Sequence, residues 1–204
     1  MMQSEYAFGG AAAPAPSAIQ LTADAVLIGR IASGDKQAMK VLFARHNVRV
    51  YRFLARIVGD RAAAEDLVSD VFLDVWRKAG QFEGRAQVST WLLAIAHYKA
   101  LTHLRQRTMD HLDDEAAQDI EDPADNPAAH VEKKDTGAQL RRCLAQLSLA
   151  HREVIDLVYY HEKSTDEVAK ILDVPEATVR TRMFYARKRL AGLLKANGIE
   201  HAPA

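Results

Sequence analysis

The sequence predicts an all-α protein: two small helical bundles joined by an acidic linker, with a helix-turn-helix at the C-terminal end. Three observations carry this expectation. Apolar residues recur at helical spacing from Met39 to Ile57, from Leu67 to Val75 and again from Leu140 to Leu190. No stretch of useful length alternates apolar and polar residues as a half-buried strand would. Residues 108 to 137 contain Pro123 and Pro127 and little apolar surface to bury, which is the composition of a linker. A chain of 204 residues with 49% hydrophobic content has room for two packed cores.

The net charge is zero, yet the charges are segregated. Residues 21 to 107 hold 14 Lys and Arg against 8 Asp and Glu, residues 108 to 138 hold 2 against 10, and residues 139 to 195 hold 11 against 7. Two basic blocks flanking an acidic strap favour a polyanionic partner, from which the strap itself would be repelled. No apolar run is long enough to span a bilayer. The start of the chain lacks the basic segment and apolar block of a secretory signal. The single cysteine, Cys143, excludes an internal disulfide and suits a reducing cytoplasm.

Taken in order, residues 1 to 20 read as a flexible tail. Met39, Leu42, Phe43, His46, Val50, Phe53, Leu54 and Ile57 form one face of a long helix that Gly59-Asp60 ends. A second helix runs from about 62 to 79 with Leu67, Val71 and Val75 inward and Asp66, Asp70 and Asp74 on another face. Asp66 and Asp70 are one turn apart and can meet the same basic surface, although such a pattern alone suits a solvated face. Phe72 and Trp76 read as packing residues. The segment GQFEGRAQVS, 80 to 89, is a loop with two glycines, and Ser89 or Thr90 can cap the next helix, which holds Trp91 inside and runs to about 107.

Beyond the strap, Leu140, Cys143, Leu144 and Leu147 form one helical face and Val154, Leu157 and Val158 another. Ser164 and Glu167 fit a capping box ahead of the apolar face Val168, Ala169 and Leu172. Asp173-Val174-Pro175 breaks that helix, and aspartate tolerates the left-handed conformation such a turn needs. The pattern restarts at Glu176, with Val179, Met183, Ala186 and Leu190 inward while Arg180, Arg182, Arg187, Lys188 and Arg189 project elsewhere. A helix pair of this kind can lay its second member in a DNA major groove. A solvated hairpin fits any one feature but fits the conjunction poorly. The expected units are a tail 1–20, a domain 21–107, a linker 108–137, a domain 138–195 and a tail 196–204.

Catalytic chemistry finds no support. His97 and His103 fall on different faces of one helix, there is no CxxC or HExxH spacing, and Cys143 sits on an apolar face. No glycine-rich phosphate cradle and no Ser/His/acid arrangement stands out. The expectation is a non-enzyme without catalytic residues, metal, cofactor, small-molecule substrate or membrane insertion.

Three segments in order, AEDLVSDVFLDVWRKAGQF (64 to 82), STWLLAIAHYKALTHLR (89 to 105) and STDEVAKILDVPEATVRTRMFYARKRL (164 to 190), make the chain resemble the extracytoplasmic-function sigma factors of bacterial RNA polymerase. The likeness covers nearly everything except the two tails. It implies a partner in core polymerase, met by Asp66, Ser69, Asp70, Asp74 and Trp76, and a second partner in promoter DNA. The loop from Phe82 to Ser89, with Arg85, matches the segment that captures a base flipped from the −10 element. Tyr98, Lys99, Thr102 and Arg105 would line the −10 strand. Here the chain departs from the pattern: IAHYKALTHLR stands where many relatives read roughly IARNxALDxLR. Tyr98 replaces asparagine and can stack on an unpaired base; Thr102 replaces aspartate. The departure bears on the preferred −10 sequence.

The same resemblance sets the −35 element against Glu176, Thr178, Arg180, Thr181, Arg182, Tyr185 and Arg187, with Lys188 and Arg189 further along on DNA backbone or polymerase. It also implies an anti-sigma factor as regulator and a cytoplasmic location. Two other readings stay open on the residues alone. An ordinary helix-turn-helix regulator would need neither the acidic helix nor the 82–89 loop. A sigma-like decoy that titrates an anti-sigma factor could dispense with the DNA-reading cations, which are all present.

The resemblance also implies that the strap threads the polymerase channels, where its carboxylates would mimic nascent RNA; a spacer kept soluble by its charge is the alternative. Neutralising Asp113, Asp114, Glu115, Asp119, Glu121 and Asp122 should then alter the ratio of abortive to full-length transcripts, and an unchanged product ladder would refute the mimicry.

Overall fold

The computed structural model describes residues 18–113 and 131–197, and all regular structure among them is helical. The fold class is the one expected, and the elements follow from their caps. α1 (Ala18–Ala32) turns through Ser33, Gly34 and Asp35 into α2 (Lys36–Val58). The Asp35 carboxylate accepts from the backbone N–H groups of Gln37 at 2.8 Å and Ala38 at 3.1 Å, satisfying two donors that the helix cannot. α2 stops at Gly59, whose φ of 71° lets its N–H reach back to the Ala55 carbonyl. Asp60 caps α3 (Arg61–Lys78), and a short 3₁₀ turn (Ala79–Gln81) leads through residues 82–87 to α4 (Val88–Asp113).

The second lobe comprises α5 (Val131–Ala145), α6 (Leu149–Ile155), a π-helical turn (Asp156–Tyr160), α7 (Thr165–Leu172) and α8 (Glu176–Ala196). The capping box at Ser164 and Glu167 is complete: the Glu167 N–H donates to the serine oxygen, and the Ser164 N–H donates to the glutamate. Asp173 takes the left-handed conformation, φ 51° and ψ 52°, and α8 leaves at the angle this turn sets.

Several elements differ from the sequence-based expectation. Ahead of Met39 the sequence reads as helical without a placed element, and α1 supplies it, burying Leu27, Ile28 and Ile31. Their spacing is helical but falls in one short patch next to an alanine-rich start. Phe43 is 41% exposed and meets the Phe72 ring edge-on, so it caps the core rather than filling it. Ser89 and Thr90 do not cap α4, which begins at Val88; Thr90 is buried instead. The helices on either side of the strap continue to Asp113 and start from Val131, further into the acidic segment than expected, because extending a formed helix costs little. Residues 114–130 lie outside the described residues, as do 1–17 and 198–204. On α8, Leu190 is half-buried and Leu194 takes the fourth inward position.

The arrangement of the two lobes, which the sequence left open, is set by the structure. α2, α3 and α4 pack around Leu42, Val50, Leu54, Val71, Val75 and Leu92, and α6, α7 and α8 pack around Val154, Val168, Val179 and Ala186. These belong to one apolar cluster, because α4 lies against α7 and α2 touches α6. Free cysteine Cys143 is buried under Asn197, whose amide approaches its sulfur at 3.7 Å.

The turn at Asp173 yields a stability test. Asp173→Val should destabilise the fold by about 1–2 kcal/mol, because a β-branched residue resists positive φ. Asp173→Gly should stay within about 0.5 kcal/mol, relief of strain being offset by chain entropy. Urea denaturation of both variants measures the difference.

Candidate nucleic-acid interface

Two surfaces carry exposed cations beside exposed aromatic rings. The first is the 82–87 loop with the outer face of α4. Gly84, at φ 71°, bends the loop so that Phe82 turns inward and lies 5.1 Å from the Trp91 ring. Arg85 points out, 84% exposed, and pairs with Glu83 at 2.7 Å. A cleft of about 420 Å³ opens here between Phe82, Arg85, Ala86, Trp91 and, from the other lobe, Lys170. Along α4, Tyr98 and Arg105 are exposed and Thr102 lies one turn from Tyr98. Tyr98 is 68% exposed, a large ring turned toward solvent. The Thr102 hydroxyl donates to the Tyr98 carbonyl at 2.9 Å and is thus occupied within its own helix.

Lys99 reaches the opposite way, to Asp74 at 3.5 Å and Asp70 at 3.9 Å. It therefore links the basic face of α4 to the acidic face of α3. On α3, Asp66, Ser69 and Asp70 are exposed side by side. Asp74 is not among them: its side chain is 13% exposed and lies between Lys78, 2.9 Å away, and Lys99. The Lys78 hydrogen bond, aided by Lys99, holds the Asp74 carboxyl below its ordinary value despite burial. Trp76 is half-buried against the core.

The second surface is α8. Val179, Met183 and Ala186 anchor it, which turns residues 180, 181, 184, 185 and 187 to 189 outward. Glu176 accepts from the Thr165 hydroxyl and from Arg180, both at 2.7 Å; these bonds, that of Thr165 foremost, hold its carboxyl low. Glu176 thus pins the start of α8 to α7 and orients Arg180, which is 67% exposed. Thr181 donates to the Ala177 carbonyl, and Thr178 and Arg182 are half-buried. Arg187 is exposed with its Nε near the Met183 carbonyl.

Phe184 and Tyr185 lie ring edge to ring face at 5.3 Å and are both largely exposed. Phe184 escaped the sequence-based selection. Its signal was its spacing from Ala177, Thr181 and Lys188 on one outer stripe, which an apolar residue does not advertise. Equally illegible were the contacts made by Thr90, Lys163 and Glu167 between the lobes. An outward stripe of arginine, threonine and aromatic side chains at the start of a helix supplies donors for base edges and phosphates.

Comparison with known proteins points the same way. The family model "Sigma-70 region 2" matches residues 42–109, and "Sigma-70, region 4" matches residues 137–190. The chain is 30% identical over 177 residues to the ECF RNA polymerase sigma factor SigK of Mycobacterium sp. (strain JLS), covering 85% of this chain and 90% of that one. It is 28% identical over 180 residues to the RNA polymerase sigma-H factor of Pseudomonas aeruginosa, covering 82% and 91%. Among solved structures, CnrH in complex with the cytosolic domain of CnrY superposes with a TM-score of 0.64 at 26% identity, covering 85% of this chain and 98% of that one. RpoE in complex with the anti-sigma factor NepR from Bartonella quintana superposes with a TM-score of 0.66 at 27% identity, covering 76% and 96%.

The Asp74 cluster predicts a pH dependence. A carboxyl held low in the folded state contributes stability that is present above its unfolded value, about 3.9 for aspartate, and is lost as the pH falls through the folded value. Asp74→Asn should flatten this acid limb in urea denaturation across a pH series, and an unchanged limb would show that Lys78 and Lys99 do not stabilise the carboxylate.

Proposed function

The chain belongs to the sigma-70 family as an extracytoplasmic-function sigma factor, and from that premise we propose how its residues divide the work. Sigma factors bind core RNA polymerase and promoter DNA and direct initiation. In this chain α8 reads the −35 element. Arg180 and Thr181 stand on its first two turns with Phe184 and Tyr185 alongside, while Arg182, half-buried, and Arg187 hold phosphates. The exposed cationic and aromatic stripe of α8, held by the Glu176 bridge, is the observation that carries this reading.

The 82–87 loop and the α4 face take the −10 element. Phe82 and Trp91 line a cleft wide enough for one base, Arg85 at its rim suits a phosphate, and Tyr98 offers a stacking face to the next unpaired base. Arg105 continues the track along the strand. Melting then proceeds by trapping unpaired bases, with no reaction catalysed by this chain. Asp66, Ser69 and Asp70 form the polymerase-facing patch, and Asp74 supports it by holding Lys99 in place. Neutral overall charge with segregated surfaces suits this division, since one face must attract DNA and another a basic protein surface. An anti-sigma factor as regulator and a cytoplasmic location complete the proposal; no helix among the described residues is long and apolar enough to cross a membrane.

Run-off transcription with purified core polymerase tests the whole reading: promoter-specific product should require this chain. Arg180→Ala should weaken binding to −35 duplex by about 1–3 kcal/mol and relax specificity at one position, whereas Lys188→Ala should weaken binding evenly and reduce its salt dependence. Indifference of both DNA binding and transcription to Arg180→Ala would displace α8 from the −35 element.

A further inference from the structure

The outer face of α2 takes no part in the surfaces described above, yet its charge is wholly one-sided. Its 23 residues hold six Lys and Arg and no Asp or Glu. With 3.6 residues per turn, Arg45, Arg49, Arg52 and Arg56 fall within about 60° of one another, in a stripe about 16 Å long. The two ends of the stripe are tied down. Arg45 meets the Asp24 carboxylate at 2.7 Å, and Arg56 pairs with Asp156. Arg49 and Arg52 between them are exposed, and no carboxylate among the described residues pairs with either.

The local field is positive. Burial first, and the charge of Arg49 after it, pull the Lys163 ammonium below its ordinary range against the opposing effect of Glu167. Two guanidinium groups without counter-charges, beside a third cation, favour a polyanion. An aromatic platform stands at one end of the stripe. The Arg56 guanidinium lies over the Tyr160 ring, 3.8 Å from its centroid, and the Asp156 carboxylate holds it there. Tyr160 is 44% exposed and its neighbour Tyr159 56%, both on the π-helical turn. A cationic track that ends in an exposed ring is the arrangement that holds unpaired strands: cations follow the phosphates and rings stack on bases. Duplex DNA keeps its base faces against one another and would leave the ring unused.

We propose that the arginine face of α2, with Tyr160 at its end, binds a single-stranded polynucleotide without regard to sequence. Arg49 and Arg52 take successive phosphates, and the Arg56–Tyr160 stack takes one unpaired base. This track stands on a different helix from Tyr98 and Arg105, and the inference goes beyond the promoter contacts proposed above without resting on them. RNA and unwound DNA offer the same phosphates and base faces, so the ligand is defined by that shared chemistry.

Fluorescence anisotropy of the full chain with labelled oligo(dT) and oligo(rU) tests this. Because the α4 track is also proposed to take single strands, the measurements are made in a Tyr98→Ala/Arg105→Ala background. Binding should persist there and weaken with salt, log K falling with log salt by about 0.7 for each phosphate neutralised. Adding Arg49→Ala and Arg52→Ala should reduce that slope by about 1.4 and cut affinity at least tenfold. Tyr160→Ala should cut affinity at least fivefold with the slope unchanged. Tyr160→Phe should restore it, since the ring and not the hydroxyl stacks. Circular dichroism should show native helix in each variant, all these positions being exposed. A tenfold preference for one homopolymer names the source as transcript or unwound strand, and equal affinity shows that the track accepts both.

Absence of binding in that background, or binding indifferent to Arg49→Ala and Arg52→Ala, overturns the proposal. So does an equal loss on an oligo(dA)·oligo(dT) duplex when Tyr160 is truncated, which would show that no base is stacked. If the arginine changes lower affinity for core polymerase and leave the homopolymers alone, the face belongs to a protein partner and the polynucleotide assignment falls. Run-off transcription and −35 binding decide the promoter reading separately.

Discussion

The Glu167 carboxylate is the point on which local and tertiary structure both turn. One oxygen accepts the Ser164 N–H and closes the capping box that starts α7. The other accepts from Lys163 of the same lobe and from Thr90 across the seam between the lobes. Burial alone would raise this carboxyl, but the bonds from Lys163, Thr90 and Ser164 together outweigh it and hold the group low. The same charge therefore initiates the helix that aims α8 and anchors the second lobe on α4. Through Thr165 and Glu176, one turn away, the orientation passes on to Arg180.

Exposed acidic and basic faces are segregated, and the junction between the α3 and α4 faces is tied internally. Lys99 spans the boundary between the acidic patch of α3 and the aromatic-basic track of α4. Asp74, shared by Lys78 and Lys99, is the hub of that boundary. Arg85 and Arg180 each hold a local carboxylate, Glu83 and Glu176, at 2.7 Å. Exposed pairs of this kind contribute little stability.

Much of this was legible beforehand. Helical spacing of apolar residues located α2, α3, α4 and α8, the Ser164/Glu167 spacing announced the capping box, and Asp173-Val174-Pro175 marked the turn between the last two helices. These depend on interactions within four residues along the chain, so a one-dimensional pattern suffices to encode them. α1 was left without bounds because three inward residues beside an alanine-rich stretch leave too short a pattern to place it. The ends of α4 and α5 ran past expectation because composition marks where burial stops, while a helix continues for as long as its hydrogen bonds do.

The order of the three motifs pointed to the family, and hence to the candidate residues on α3, α4, the 82–87 loop and α8, since the kind of side chain at a given helical phase is written directly in the chain. Which of those side chains faces water was settled in three dimensions. Asp74 turned inward to two lysines, Thr102 spent its hydroxyl on its own helix, and Phe184 emerged at the surface. The docking of the lobes was likewise beyond the sequence. Lys163 and Thr90 are unremarkable polar residues 73 positions apart, and only the folding of separate segments onto each other makes one a buried cation and the other its partner.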